Sequence, residues 1–309
     1  MTPLLVSIPE VLEVTVVRGT DAPTDARPDL VIEVPHGATR TADYRAVEAL
    51  LHSPLPEGLV DFFHVNTDAG APELALAVAE RFTTAHPQRV AAVLRCRIPR
   101  TFIDCNRRVD ASPEDFKAGK VTPGLMPWIT EEADRALLRV RYDTYVAAVR
   151  ATLDTCLPTG AALLLHTYAP REVGVEVDEN IVGSLHHAYT PEVEPTWPLR
   201  PEVDLIGTTP DGTSWLPTDV VETLATELDA LGIGLARGQT YPLHPATLAH
   251  DHVLRWPGRV LCMEVRRDLL ADPFKPFAQM HIGAEKTARL AGPLAKAVAV
   301  WWPISLSPR

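Results

Sequence analysis

Apolar residues along this chain fall into two kinds of segment, short unbroken runs and longer stretches where they recur every three or four positions. Residues 30–35 (LVIEVP), 90–94 (VAAVL), 161–165 (AALLL) and 260–265 (VLCMEV) are runs of the first kind. Bounded by turn residues and this short, they predict strands buried on both faces. Residues 101–104 (TFID) predict one more short extended piece. Helical spacing begins after Pro72, which suits a first helical turn, with Leu74, Leu76, Ala77, Val78 and Phe82 toward the core. A long helix is predicted over 130–153, opened by Glu131 and Glu132 at the positive end of its dipole, with Leu137, Val140, Tyr145 and Val149 on its apolar stripe. The cleanest periodicity is Val220, Val221, Leu224, Leu228 and Leu231, stopped by Gly232. A closing helix covers 286–300, and residues 191–217 are proline-rich without periodicity. Strands alternating with helices predict an α/β fold whose sheet carries helices on both faces. No repeat or composition break divides the chain, so residues 1–309 read as a single domain.

Composition narrows the picture. With 46% hydrophobic and 22% charged residues over 309 positions, the chain is an ordered globular protein with ample core. Its net charge of −11 argues against nucleic-acid or anionic-membrane binding, which need a basic footprint. No apolar run approaches the ~20 residues that span a bilayer. The N-terminal segment MTPLLVSIPEVLEVTV lacks a basic region before its apolar stretch and a small-residue cleavage site. A cytoplasmic location is expected. Cys96, Cys105, Cys156 and Cys262 form no CxxC pair and read as reduced, buried thiols. The 29 dispersed prolines imply rigid turns and ordered loops, where sites are commonly built.

Polar residues at the ends of the apolar runs carry the candidate chemistry. His36 follows the first run, His166 follows AALLL, and Glu264 sits inside the last. In open α/β sheets the ligand crevice lies beyond the carboxyl ends of the strands. Two histidines delivered there, with one acidic residue, would make a three-ligand zinc site with an open position. Each histidine is also compatible with a plain turn role. An ionised glutamate in an apolar strand needs compensation. Glu264 is therefore either ion-paired with Arg266 or Arg267, or a general base beside a metal. Asp104-Cys105-Asn106-Arg107-Arg108 forms a further cluster, in which an arginine could hold a substrate carboxylate bidentately or simply face solvent. GxGxxG, Walker A, GxSxG and HExxH motifs are absent, which removes support for nucleotide binding and serine-hydrolase chemistry.

Six segments in order, VIEVPHGAT, NTDAGAPELA, IPRTFIDCNRR, LLLHTY, RPEVDLIGT and CMEVRRDLL, resemble the N-formylglutamate amidohydrolase family across roughly residues 30 to 270. The resemblance implies a zinc carboxypeptidase-like fold, a mixed and mostly parallel central sheet between helices. It implies one zinc ion per chain, held by His36, His166 and Asp68, with Glu73 as the alternative third ligand. It makes Glu264 the catalytic carboxylate, and Arg267 a residue that polarises the scissile carbonyl or holds a second acidic group. Asn106 and Arg107 would grip a substrate carboxylate, with Tyr241 in the substrate pocket. The implied activity is hydrolysis of an N-formyl or N-acyl amino acid, foremost N-formyl-L-glutamate. A carboxypeptidase-like amidase on larger substrates and a non-catalytic binder of acidic ligands are the alternatives.

Overall fold

The four unbroken apolar runs form the centre of one sheet. The structure, a computed structural model, describes residues 5–302, so residues 1–4 of the N-terminal segment and residues 303–309 lie outside it. The chain opens with β1 (Leu12–Arg18), β2 (Leu30–Val34), α1 (Thr41–Glu48), α2 (Leu59–Asn66), α3 (Ala71–Ala85) and β3 (Val90–Cys96). It continues through α4 (Pro113–Ala118), the long α5 (Glu132–Cys156), β4 (Ala161–Tyr168), α6 (Ile181–Ala188) and the short β5 (Val203–Leu205). It closes with α7 (Thr218–Asp229), β6 (Leu235–Arg237), α8 (Leu248–Arg255), β7 (Val260–Arg266) and α9 (Ala284–Ala299).

The strand order is β1-β3-β2-β4-β7-β5-β6. The inner four, β3, β2, β4 and β7, are mutually parallel. β1 runs antiparallel on β3, and β5 antiparallel on β7 with β6 parallel beside it. The sheet is thus mixed and mostly parallel, as the resemblance implies. Every residue of β2, β3 and β4 is buried, because helices cover both faces and leave no polar side for alternation. Val31, Leu94, Leu164 and Cys262 pack under α1, α2, α5, α6 and α8. Ile32, Val93, Leu165 and Met263 pack under α3, α7 and α9. No helix among the described residues is long and apolar enough to cross a membrane. All four cysteines are buried and free of disulfides.

Several local expectations need correction. Residues 101–104 form turns, with Ile103 making only an isolated bridge to Leu125. Leu76 and Val140 face solvent, at 37% and 65% exposure. In α5 the buried stripe runs through Asp134, Leu138, Tyr142, Tyr145 and Val149. Tyr145 and Val149 are buried as expected, while in the first turn a carboxylate takes a core position that the aliphatic residues do not mark. Gly232 does end α7, with φ at +68°, in the left-handed region that favours glycine.

Candidate metal and active site

Three neighbouring strands and one loop deliver the site. His36 sits in the tight turn after β2, where the Gly37 amide donates to the Val34 carbonyl at 3.2 Å. A Cβ on Gly37 would meet the Arg95 side chain at 2.6 Å, so this close turn requires glycine. Asp68 lies in the loop between α2 and α3, which two threonines tie to the sheet. Thr67 Oγ1 donates to the Ala38 carbonyl at 2.6 Å, and Thr167 Oγ1 to the Ala69 carbonyl at 3.0 Å. Gly70, at φ +90°, then turns the chain into α3. His166 and Glu264 are cross-strand partners in the β4–β7 register, so their side chains leave the same face.

His36 Nδ1, Asp68 Oδ2 and His166 Nδ1 converge in an almost equilateral triangle. The separations are 3.2 Å from His36 to Asp68, 3.1 Å from His166 to Asp68 and 3.2 Å between the two nitrogens. All three residues are buried, at 3%, 1% and 3% exposure. A tetrahedral ion bound at 2.0–2.1 Å has edges of roughly 3.3 Å, close to this triangle. The donor chemistry fits as well. His36 Nε2 lies 2.7 Å from Asp104 Oδ1, so the proton belongs on Nε2 and the Nδ1 lone pair points into the triangle. His166 Nε2 lies 3.4 Å from the Asn106 amide nitrogen, too long to fix that ring's tautomer. Among the described residues this is the one group of histidine, cysteine and acidic side chains able to hold a metal. Glu73, the alternative ligand, is exposed on α3 and is not part of it.

Electrostatics sort the acidic groups. Burial works to raise the Asp68 carboxyl, but when the histidines carry protons rather than a metal, the charge of His36 and hydrogen bonds from both rings outweigh it and hold its pKa below the usual range. Burial is outweighed at Asp104 too, by the charges of Arg107, His36 and Arg100, so it stays ionised well below that range. Glu264 goes the other way. Burial pushes its carboxyl up to about 7, with Asp68 adding to the rise and His166 opposing it. Among the described residues it forms no ion pair with Arg266, which binds Asp268 at 2.8 Å, or with Arg267, which lies 3.9 Å from Asp68. Glu264 Oε2 is buried without a hydrogen-bond partner. The ion-paired reading of this residue is therefore set aside.

His36, Asn106, Arg107, His166, Tyr241, Glu264 and Arg267 all line one cavity of about 720 Å³, and Asp68 reaches it through its contacts with the two histidines. Some of these side chains have structural work as well. Asn106 Oδ1 accepts from the Ala249 amide at 3.0 Å, satisfying the first turn of α8, so only its amide nitrogen faces the site. Arg267 donates to the Val65 and Thr167 carbonyls at 2.6 and 3.1 Å, leaving Nε unpartnered. Arg107 lies 3.6 Å from Asp104.

Two residues were not singled out for the roles they occupy. Asp104, which in the sequence stands out only as part of a cluster, orients His36. Arg200, in the proline-rich stretch, lines the same cavity and donates to the Tyr241 hydroxyl at 3.1 Å. It is the first residue of RPEVDLIGT, one of the six segments that carry the resemblance, and it stands just ahead of a strand beside β7.

Comparison with known proteins gives a consistent result. Residues 28–271 match the family model described as N-formylglutamate amidohydrolase. The crystal structure of N-formylglutamate amidohydrolase from Ralstonia eutropha JMP134 is similar over 94% of this chain and 96% of its own, with a TM-score of 0.57 and 17% identity. A gene product from Agrobacterium tumefaciens is similar over 94% of each chain, with a TM-score of 0.53 and 16% identity. A metallo-carboxypeptidase from Burkholderia cenocepacia matches at a TM-score of 0.37 and 14% identity, over 93% of this chain and 60% of its own. No curated protein matches the sequence.

Proposed function

The chain belongs to the N-formylglutamate amidohydrolase family, and we propose that it hydrolyses the amide bond of an N-formyl or N-acyl amino acid with one zinc ion at His36, Asp68 and His166. The leading substrate is N-formyl-L-glutamate, giving formate and glutamate. The observation that carries this reading is the triangle of three donor atoms at 3.1–3.2 Å beside a glutamate with a buried oxygen that has no hydrogen-bond partner among the described residues. On this reading the protein is a cytoplasmic enzyme for a small carboxylate-bearing substrate, with no nucleic-acid or membrane partner.

A divalent cation at this site supplies Lewis acidity toward a carbonyl oxygen and lowers the pKa of water. The protein's own groups do the rest. A Glu264 carboxylate oxygen takes the proton of the attacking water and hands it to the leaving nitrogen. Arg267 places positive charge near the carbonyl oxygen as negative charge develops there. Arg107 and the Asn106 amide nitrogen hold a substrate carboxylate, so that binding away from the reacting bond orients it. Tyr241 closes the side of the cavity where Arg200 stands.

A second reading, a larger acyl group, is favoured by the cavity's size and by its apolar wall of Phe62, Phe116, Val173, Val175 and Val177. Metal content of the purified protein, measured by mass spectrometry for wild type and His166→Ala, tests the first reading. About one zinc per chain, lost in the variant, together with formate release from N-formyl-L-glutamate, is the expected result. No metal after zinc is added back would overturn it. Faster turnover of N-butyryl than N-formyl substrates would move the assignment to the larger acyl group.

A further inference from the structure

We propose that Arg200 binds a second carboxylate of the substrate and so selects N-acyl amino acids with an acidic side chain; this rests on the cavity being an amidase site. The cavity is rich in arginine, but its arginines differ in what neutralises them. Arg100 lies 2.9 Å from Asp104 and 3.7 Å from Asp68, Arg107 lies 3.6 Å from Asp104, and Arg267 lies 3.9 Å from Asp68. Each belongs to a network that already contains a carboxylate. Arg200 has no acidic partner among the described residues; its Nη atoms reach only the Ala169 carbonyl, at 3.3 Å, and the Tyr241 hydroxyl, at 3.1 Å.

Arg200 is also held in place. Its guanidinium lies over the rings of Tyr168 and Tyr241, at 5.2 and 5.8 Å from their centroids. Its backbone amide donates to the Pro170 carbonyl at 2.9 Å, and its own carbonyl accepts from Arg266 at 2.9 Å. The Tyr168 hydroxyl donates to the neighbouring Pro201 carbonyl at 2.6 Å. Two aromatic rings pack against a fixed cation, which favours binding an anion along the guanidinium's in-plane edge. Its Nε is buried with no partner, so the guanidinium is under-satisfied until something supplies an acceptor.

Arg171, the other cavity arginine without an acidic partner, directs one Nη to the Pro195 and Trp197 carbonyls, and Lys117 and Lys120 are exposed. Arg200 therefore remains the fixed, partly buried positive charge with no carboxylate within ion-pair distance among the described residues, although its charge is felt at Glu264. Its position completes the picture. In the sheet β2, β4 and β7 bring His36, His166 and Glu264 side by side, and Arg200 leads into β5, next in the row. Arg107 joins from the other end, through Asp104 and His36. A substrate with two carboxylates can then be held at both ends, with its amide over the reacting groups.

The test compares kcat/KM for N-formyl-L-glutamate and N-formyl-L-glutamine, which differ only in that charge. Wild type should favour the acid by about ten- to a hundredfold, the range of a charged hydrogen bond. Arg200→Gln should reduce that ratio at least tenfold, mainly through KM, and Arg200→Lys, which keeps the charge but loses the fork, should fall between. Equal losses on both substrates, or no preference in wild type, would overturn the proposal. Calorimetric titration of the zinc-loaded protein with glutarate and with butyrate separates this idea from the amidase reading. If no N-acyl substrate is turned over but glutarate binds at least tenfold tighter than butyrate, and only when Arg200 is present, the amidase reading fails and the Arg200 site stands. If Arg200→Gln does not fold, an Arg200→Lys protein with an unchanged glutarate preference overturns the proposal, and a weakened one supports it.

Discussion

Glu264 occupies a strand position where an ionised carboxylate is costly unless something answers its charge. Structural carboxylates in this protein are answered: Asp43 by Arg95 and Arg97, Asp104 by Arg100. Glu264 is left with an unpartnered oxygen and a carboxyl raised to about 7 by burial, as expected of a group kept for proton transfer. Glu264→Gln should retain bound zinc and lower kcat by about a hundred- to ten-thousandfold, the usual range for a general base. Steady-state kinetics with parallel metal analysis would check it, and unchanged turnover with zinc bound would remove Glu264 from the mechanism. His36, His166 and Glu264 were legible in the sequence because each stands at or near the end of an unbroken apolar run. Asp68 was not legible that way, since it lies between two helices, and only the family resemblance pointed to it. Arg200 opens the segment RPEVDLIGT that carries part of the resemblance, but its place in the cavity depends on two tyrosines 32 and 41 residues away, which no local pattern reports.

At the scale of elements, α5 shows how a polar residue can set the register of a helix. Asp134, in its first turn, accepts from the His52 amide at 2.9 Å and from both the amide and the hydroxyl of Ser53 at 2.6 Å. Ser53 Oγ in turn accepts from the Thr130 and Glu131 amides, at 3.1 and 3.0 Å, which the helix start would otherwise leave open. Burial works to raise the Asp134 carboxyl, but the hydrogen bonds from Ser53 and His52 outweigh it and lower its pKa. Asp134→Asn should destabilise the fold by about 1–2 kcal/mol in denaturant titrations at neutral pH. Because the folded pKa is depressed, that deficit should be full above about pH 4 and shrink as the pH falls through the folded value. A deficit that is the same at pH 3 and pH 7 would show that lost packing, not the charge, is responsible. The same residue explains why only the second half of the α5 stripe, Tyr145 and Val149, is legible in the sequence: a carboxylate in a core position breaks the aliphatic pattern of the first half. The inner strands were legible because burial on both faces writes an unbroken run. β1 was not, having partly exposed residues along an edge, and β5 is three residues within a proline-rich stretch.

Across the whole molecule, the candidate metal site ties together parts of the chain that are far apart in sequence: the end of β2, the α2–α3 loop and the end of β4. Even without a cation these parts are joined. His36 is hydrogen-bonded to Asp104, Thr67 to Ala38 and Thr167 to Ala69, and the strands beneath pair along their length. The fold therefore does not depend on metal in the way a zinc finger does. What a cation would add is linkage: the proposed ion would bind the assembled triangle and would have no preformed site in the unfolded chain. At a free concentration a hundredfold above its dissociation constant, that adds about 2.7 kcal/mol. For a chain of this size the melting temperature should rise by on the order of 5 °C. Chelation should lower the melting temperature by that amount with the native circular dichroism kept at 25 °C, and added zinc should restore it. His166→Ala should melt at one temperature with or without zinc, because two remaining donors cannot form the face of a tetrahedron. A chelator-insensitive wild type, or a His166→Ala protein that still responds to zinc by the full shift, would place the stabilising ion elsewhere.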